Sequence, residues 1–293
     1  MIKTLDFKPK FFSAIAHYDK KTFVADVMAG LIVGIVALPL AIAFGIASGV
    51  SPEKGIITAI VAGLFCSLFG GSKVQIGGPT GAFIIIVYGI IQQYGMQGLT
   101  IATLMAGVFL ILLGVLRLGT IIKYIPYPIV VGFTSGIAVT IFTTQVKDLL
   151  GMQMTTVPAD FMEKWVAYIN NIANIDLWST VMGVASVIII ALTPRVSKKV
   201  PGSLVAIIII TVAALLLKQY AGVTTIETIG DRFSIHSELP EATLPALSWE
   251  TIKGLVGPAV TIAVLGAIES LLSATVADGV IGAHHNSSTE LIG

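Results

Sequence analysis

Eight stretches of this chain are apolar for about the length of a bilayer crossing: 26–48, 56–71, 76–94, 99–117, 126–147, 176–193, 201–221 and 251–278. A hydrocarbon core about 30 Å thick takes about 20 apolar residues of helix. Water is absent there, so a crossing segment must satisfy its own backbone N–H and C=O groups. That demand sets the fold class: an all-α polytopic membrane protein with about eight spans. Only 11% of the 293 residues are charged and 55% are hydrophobic, whereas soluble domains carry about 25% charged residues. These proportions exclude a disordered chain, a nucleic-acid-binding protein and a soluble enzyme. The single cysteine, Cys66, lies in an apolar run, so neither a disulfide framework nor a thiolate metal cluster is available.

Residues 1–22 differ from the rest. FKPKFFSAIAHY, with Lys3, Lys8, Lys10, Lys20 and Lys21 around it, suits a cytoplasmic, amphipathic segment on an anionic membrane surface; a solvated tail fits equally. Residues 23–293 form the transmembrane domain. With the N-terminus inside, the inner segments hold those five lysines and Lys73, Arg117, Lys123, Arg195, Lys198 and Lys199, eleven of the 17 basic residues. The positive-inside rule therefore puts both ends in the cytoplasm. No cleavable signal peptide is expected, because the N-terminus is polar. Pairs of small residues, Gly30/Gly34, Gly45/Gly49 and Gly132/Gly136, have the spacing that lets helices pack closely in lipid.

Three features call for more than packing. In QIGGPTGAF, residues 75–83, three glycines and Pro79 interrupt an apolar segment. Proline lacks a backbone donor, and each glycine weakens a helix by up to about 1 kcal/mol. Backbone unpaired at membrane depth survives only inside protein or beside water. From Thr80 to Gln93 there remain about 14 residues, roughly 20 Å of helix at the standard rise. This predicts a half-helix capped near Gly78 or Thr80, with the short extended piece VQI leading into it. A helix N-terminus attracts anions through its free N–H groups and about half a positive charge. The second feature is Glu269, with about a dozen uncharged residues before it and Ser273 one turn on. A charge at mid-span costs about 2.5–3.5 kcal/mol on insertion scales and marks ion or proton paths. Carboxylate and hydroxyl together could hold Na⁺, or a raised pKa could let the carboxylate carry a proton. The third is Pro39, mid-span in IVALPLAIAFGIASG; with the first break it suggests two interrupted helices around one cavity. The adjacent His284 and His285 read as cytoplasmic loop residues. No catalytic motif or metal-ligand cluster is present in the sequence, so no enzyme and no bound cofactor beyond a coupling H⁺ or Na⁺ is expected.

The stretch AGLIVGIVALPLAIAFGIASGVSPEKGIITAIVAGLFCSLFGGSKVQIGGPTGAF, and IESLLSATVADG followed by HNSSTELIG, are similar to SulP family anion transporters. This sulfate permease group includes cyanobacterial bicarbonate transporters and animal anion exchangers. The resemblance implies a 7+7 inverted repeat followed by a soluble STAS domain, with the third and tenth helices as facing half-helices around the anion. It places Gly78, Pro79, Thr80, Gly81 and Ala82 at the start of the third half-helix, and Pro39, Ala41 and Phe44 of the first helix in the same pocket. It matches the family's coupling position to Glu269, with the hydroxyl one turn on at Ser273. Asp and Thr at these two places would resemble Na⁺-coupled bicarbonate uptake; Glu and Ser tilt toward proton-coupled sulfate or dicarboxylate. The expected function is alternating-access transport of a small anion, driven by H⁺ or Na⁺, in a bacterial inner membrane and as a homodimer of the full-length protein. An uncoupled anion channel, a nucleobase-type permease of the same architecture and a non-transporting membrane fragment are the alternatives. Helix nine of the family would begin near Gly293. The sequence is therefore expected to be the first repeat plus helix eight of a longer transporter, with the rest of the second repeat and the STAS domain outside it.

Overall fold

A computed structural model describes residues 7–16, 18–120, 127–154, 157–158, 160–197, 200–232, 245–246 and 248–293. Lys3, Lys123, Lys198 and Lys199 of the charge reading lie outside them. The helices are α1 (Lys10–Ile15), α2 (Lys20–Ala47), α3 (Pro52–Phe69), α4 (Ala82–Val115), α5 (Tyr127–Leu149), α6 (Phe161–Asn170), α7 (Leu177–Val196), α8 (Gly202–Ala221), α9 (Ile229–Arg232), α10 (Trp249–Ile281) and α11 (Ser287–Ile292). Every predicted apolar segment is found in a helix, and no strand occurs among the described residues.

Among the described residues six helices are long and apolar enough to cross a membrane: α2, α3, α4, α7, α8 and α10. α4 carries two of the predicted segments, because Gly95 breaks it with φ 67° and ψ −173°. Glycine alone takes that left-handed φ without a Cβ penalty. The half-helix before the break therefore runs from Ala82 to Tyr94, as short as the sequence predicts. α5, with 23 residues, covers the fifth predicted segment.

Local chemistry sets the helix ends. Asp19 accepts the N–H of Thr22 at 2.7 Å and Asp176 that of Ser179 at 2.7 Å, starting α2 and α7. α8 and α10 stop at Gly222 (φ 65°) and Gly282 (φ 64°), where only glycine is at ease in the left-handed cap. The two longest stretches between the apolar segments, 148–175 and 222–250, hold helices that were not anticipated, α6 and α9, and a 3₁₀ turn at Ile172–Asn174. α6 starts at Asp160, whose carboxylate accepts from the N–H groups of Met162 and Glu163, the side-chain cap that releases a helix from apolar context.

The chain divides into two compact units. The first comprises Met1–Gly30, Ala41–Ser135 and Glu238–Gly293 by their described residues. Its core lies between α4 and α10, where Ile90, Ile101, Ala102 and Ala106 meet Leu255, Ile262 and Ala263. Alanines at the contact let the backbones come close, which matters in lipid because packing replaces the hydrophobic effect as the force between helices. α11 docks on this pair, with Leu291 against Ala267 and Leu271. The N-terminal segment is tied to the same place: Lys10 N–H donates to Gly70 C=O and Lys8 N–H to Thr289 Oγ1. Its Phe12 and Ile15 stay exposed.

The second unit comprises Leu31–Leu40 and Gly136–Ser237. Here α7 packs along α8, and the buried Tyr168 of α6 donates to Thr143 C=O at 3.1 Å. Burial pushes the Tyr168 phenol up to about 12, with Asp148 adding to the effect. Asp231 lies well below the usual carboxylate range because it accepts from Lys218 and Thr228.

Of the predicted small-residue pairs, Gly45 packs against Gly55 of α3, whereas Gly49 (φ 81°) lies under the Tyr88 ring. A Cβ at Gly30, Gly34, Gly132 or Gly136 would meet no atom of the described chain within 4 Å. Among the described residues, close contact of these glycines with another glycine is therefore found between α2 and α3.

Candidate functional site

The break in QIGGPTGAF is real. Residues 75–80 are neither helix nor strand, Gly81 is the N-cap of α4, and VQI is irregular. The first turn is tight: Phe83 N–H donates to Thr80 C=O and Ile84 N–H to Gly81 C=O, both at 3.3 Å. Ala82 N–H reaches Thr80 Oγ1 at 3.4 Å. The N–H groups of Gly78, Thr80 and Gly81 have no hydrogen-bond partner among the described residues. Pro79, which has no N–H, sits between them, so the broken turn is rich in unspent donors for its length.

A cavity of about 860 Å³ opens above this turn, within the first unit. Gly78, Pro79 and Thr80 line it, together with Ala41 and Phe44 of α2. Five of the eight predicted substrate-site residues therefore share one cavity. Gly81 is buried, Ala82 is half-buried, and neither lines it. Pro39 is not a lining residue and belongs to the second unit.

Thr80 connects the cavity to the predicted coupling residue. Its hydroxyl donates to Glu269 Oε2 at 3.3 Å, linking α4 to α10. Glu269 is half-buried and does not line the cavity, so the carboxylate stands behind the threonine. Gly266, one turn before it, leaves room there: a Cβ would meet Phe83 and Leu110 at 3.7 Å. Ser273 is exposed, and its hydroxyl donates to Ser270 C=O at 3.0 Å. Glu269 and Ser273 are thus on one helix but spend their hydrogen bonds on different partners.

The sequence reading missed part of the lining. Ser48, Lys54, Thr58, Gln97, Thr100 and Thr103 also face the cavity, and among the described lining residues Lys54 is the one ionisable side chain. Gln97, Thr100 and Thr103 follow Gly95 at three-residue spacing, which puts them on one face of an apolar helix. That spacing was visible in the sequence. Lys54 was visible too, as a charge just before the apolar segment 56–71. His285 is not a solvated loop residue: its Nδ1 lies 2.7 Å from Asp278 Oδ2 and its Nε2 3.0 Å from Ser287 Oγ, with the side chain buried. Among the described residues no group of His, Cys, Asp and Glu could hold a metal ion.

Helices long and apolar enough to cross a membrane, one of them broken at the floor of a largely apolar cavity with a few polar groups, mark an integral membrane protein. Residues 23–293 match the sulfate permease family, and the chain belongs to it. A putative sulfate transporter of Bacillus subtilis, YvdB, is 43% identical over 284 residues, 97% of this chain and 53% of that protein. The bicarbonate transporter BicA of Picosynechococcus sp. is 33% identical, over 92% of this chain and 48% of its own length. The chain thus spans about half the length of these relatives. The transmembrane domain of a cyanobacterial bicarbonate transporter BicA superposes with a TM-score of 0.78 at 30% identity, covering 91% of this chain and 68% of that one. The structure of SLC26A9 gives the same TM-score of 0.78 at 16% identity, a likeness of fold. The family is one of transporters, which agrees with reading the chain as no enzyme.

Proposed function

We propose that the chain serves secondary active transport of small anions, sulfate or bicarbonate being the first candidates and dicarboxylates the next. The observation that carries this reading is the cavity floor, which offers partnerless N–H groups and the positive end of a half-helix, in a cavity whose described lining also includes the cation Lys54. Such a site takes negative charge. Backbone donors favour anions in general over one anion in particular, and the relatives named for sulfate and for bicarbonate fit that breadth. Glu269, hidden behind Thr80, is the group through which H⁺ or Na⁺ would drive uptake, with a slight preference for H⁺. Alternating access would expose the cavity to each side of the cell membrane in turn, with the N-terminus in the cytoplasm. In that topology Lys54 falls on the outer side, among the minority of basic residues that the inner segments do not hold.

The test is uptake of labelled sulfate and bicarbonate into liposomes that hold the protein. Thr80→Val keeps the shape and removes the hydroxyl that touches both cavity and Glu269. Losing a hydrogen bond to a charged group costs about 1.5–3 kcal/mol, a factor of about ten or more. KM should rise at least about tenfold at unchanged protein yield; an unchanged KM would remove the broken turn from the anion site. Lys54→Gln should raise KM a few-fold and flatten its dependence on ionic strength, because an exposed cation steers anions through a screened field. Salt dependence equal to the wild type would show that Lys54 has no such part.

A further inference from the structure

The motif HNSSTELIG is not used by the cavity, yet it holds the segment that forms the cavity floor. α11 begins at Asn286, whose side chain accepts the N–H groups of Ser288 and Thr289 at 3.1 Å. Its Glu290 has both carboxylate oxygens engaged. Oε2 accepts Gly71 N–H at 2.6 Å, and Oε1 accepts the Ser270 hydroxyl at 3.0 Å. Ser270 in turn accepts from Gln75 Nε2 at 3.1 Å. Donors and acceptors run in one direction, from amide to hydroxyl to carboxylate, so each bond of the series pairs a donor with an acceptor. Asn286 N–H adds a bond to Gly71 C=O at 3.0 Å.

Gly71 is fixed by contact as well as by hydrogen bonds. A Cβ there would lie 2.2 Å from Asn286 O and 2.7 Å from Glu290 N. Gln75 is fixed by its amide alone: Nε2 is spent on Ser270, and Oε1 is buried without a partner. A buried acceptor left unpaired is costly, so this side chain is held in place against a penalty. The consequence is geometric. The irregular segment is gripped at residue 71 and residue 75 through Glu290, and at residue 80 through Glu269. Ser270 and Glu269 are neighbours on α10, so one short stretch of that helix receives both ends of residues 75–80.

We propose that Glu290 is a positioning residue of the anion site. It acts through Gly71 and, by way of Ser270, through Gln75 to hold Gly78, Pro79 and Thr80 at the cavity floor. The inference rests on reading that floor as the anion site. A displacement of about 1 Å is enough to degrade a preorganised site.

Two readouts test it separately. The first is amide hydrogen exchange over residues 71–81 in the purified protein. Glu290→Ala should speed exchange there and leave the α4–α10 core protected. Glu290→Gln should exchange like the wild type, since the new carbonyl still accepts from Gly71 and the new amide can donate to Ser270. The second is initial-rate uptake of labelled sulfate and bicarbonate by proteoliposomes. KM should rise about tenfold or more in Glu290→Ala with a smaller change in maximal rate, and stay within about twofold in Glu290→Gln. Gln75→Leu, which leaves α11 untouched, should raise KM in the same direction, and it carries the test if Glu290→Ala does not fold. Exchange over 71–81 unchanged in Glu290→Ala and Gln75→Leu overturns the proposal. So does faster exchange with an unchanged KM in a protein whose wild type transports. If the wild type takes up neither anion, the anion reading fails by itself, and the exchange pattern still decides whether Glu290 holds the segment.

Discussion

Glu269→Gln is expected to abolish accumulation of anion against its gradient while leaving downhill exchange of the same anion close to the wild-type rate. The carboxylate lies in α10, half-buried, and accepts the Thr80 hydroxyl at 3.3 Å. Placing a charge at such a depth costs about 2.5–3.5 kcal/mol on insertion scales, so a group kept there ionisable is best explained by ion or proton binding. Glutamine keeps the size and still accepts from Thr80, but it neither titrates nor offers a negative charge to Na⁺. Because Glu269 does not line the cavity, KM should change less than coupling does. Labelled sulfate and bicarbonate uptake with and without an imposed H⁺ or Na⁺ gradient reads both quantities. Gradient-driven uptake that survives the substitution would place the coupling elsewhere.

Gly55→Val is expected to destroy the cavity and much of the folded yield. A Cβ at Gly55 would stand 2.4 Å from Ala41 O and 3.4 Å from Gly45 Cα. Backbone cannot yield as a flexible side chain can, so α2 and α3 must separate where Ala41, Gly45 and Gly55 line the cavity together. Overpacking alone costs about 1–3 kcal/mol, occasionally more, and lipid supplies little hydrophobic force to press the helices back together. Gly89→Ala is the control, since a Cβ there meets nothing within 4 Å. Thermal unfolding of the detergent-purified protein should fall sharply for Gly55→Val and stay near the wild type for Gly89→Ala. Equal unfolding temperatures would show that α2 and α3 do not rely on this close approach.

Most of the fold could be read from the sequence because lipid makes apolar length nearly equivalent to helix. The break at Gly77–Gly81 was legible for a related reason: a proline among glycines has no role in the middle of a plain span. Its far end was less visible, since Gly95 is one glycine among 30 and only its backbone angles distinguish it. α6 was missed although Phe161, Trp165, Tyr168 and Ile169 stand at helical spacing after the cap Asp160, because the stretch is too short to span a bilayer; α9 is a single turn of four residues. The site divides in the same way. Thr80 and Glu269 stood out as a polar group at a break and a charge in a span. Gln75, Ser270 and Glu290 are ordinary polar residues until α11 folds back across a separation of 219 residues to Gly71. Pro39 stands apart from them: it lies inside the continuous helix α2 and is not among the residues that line the cavity.

The most direct test of the account is uptake of labelled sulfate and bicarbonate into proteoliposomes across imposed H⁺ and Na⁺ gradients. The account predicts saturable uptake of at least one of the two anions, accelerated by at least one inward cation gradient and weakened in Thr80→Val. Absence of saturable uptake of either anion, or uptake that no gradient accelerates and Thr80→Val does not weaken, would contradict it.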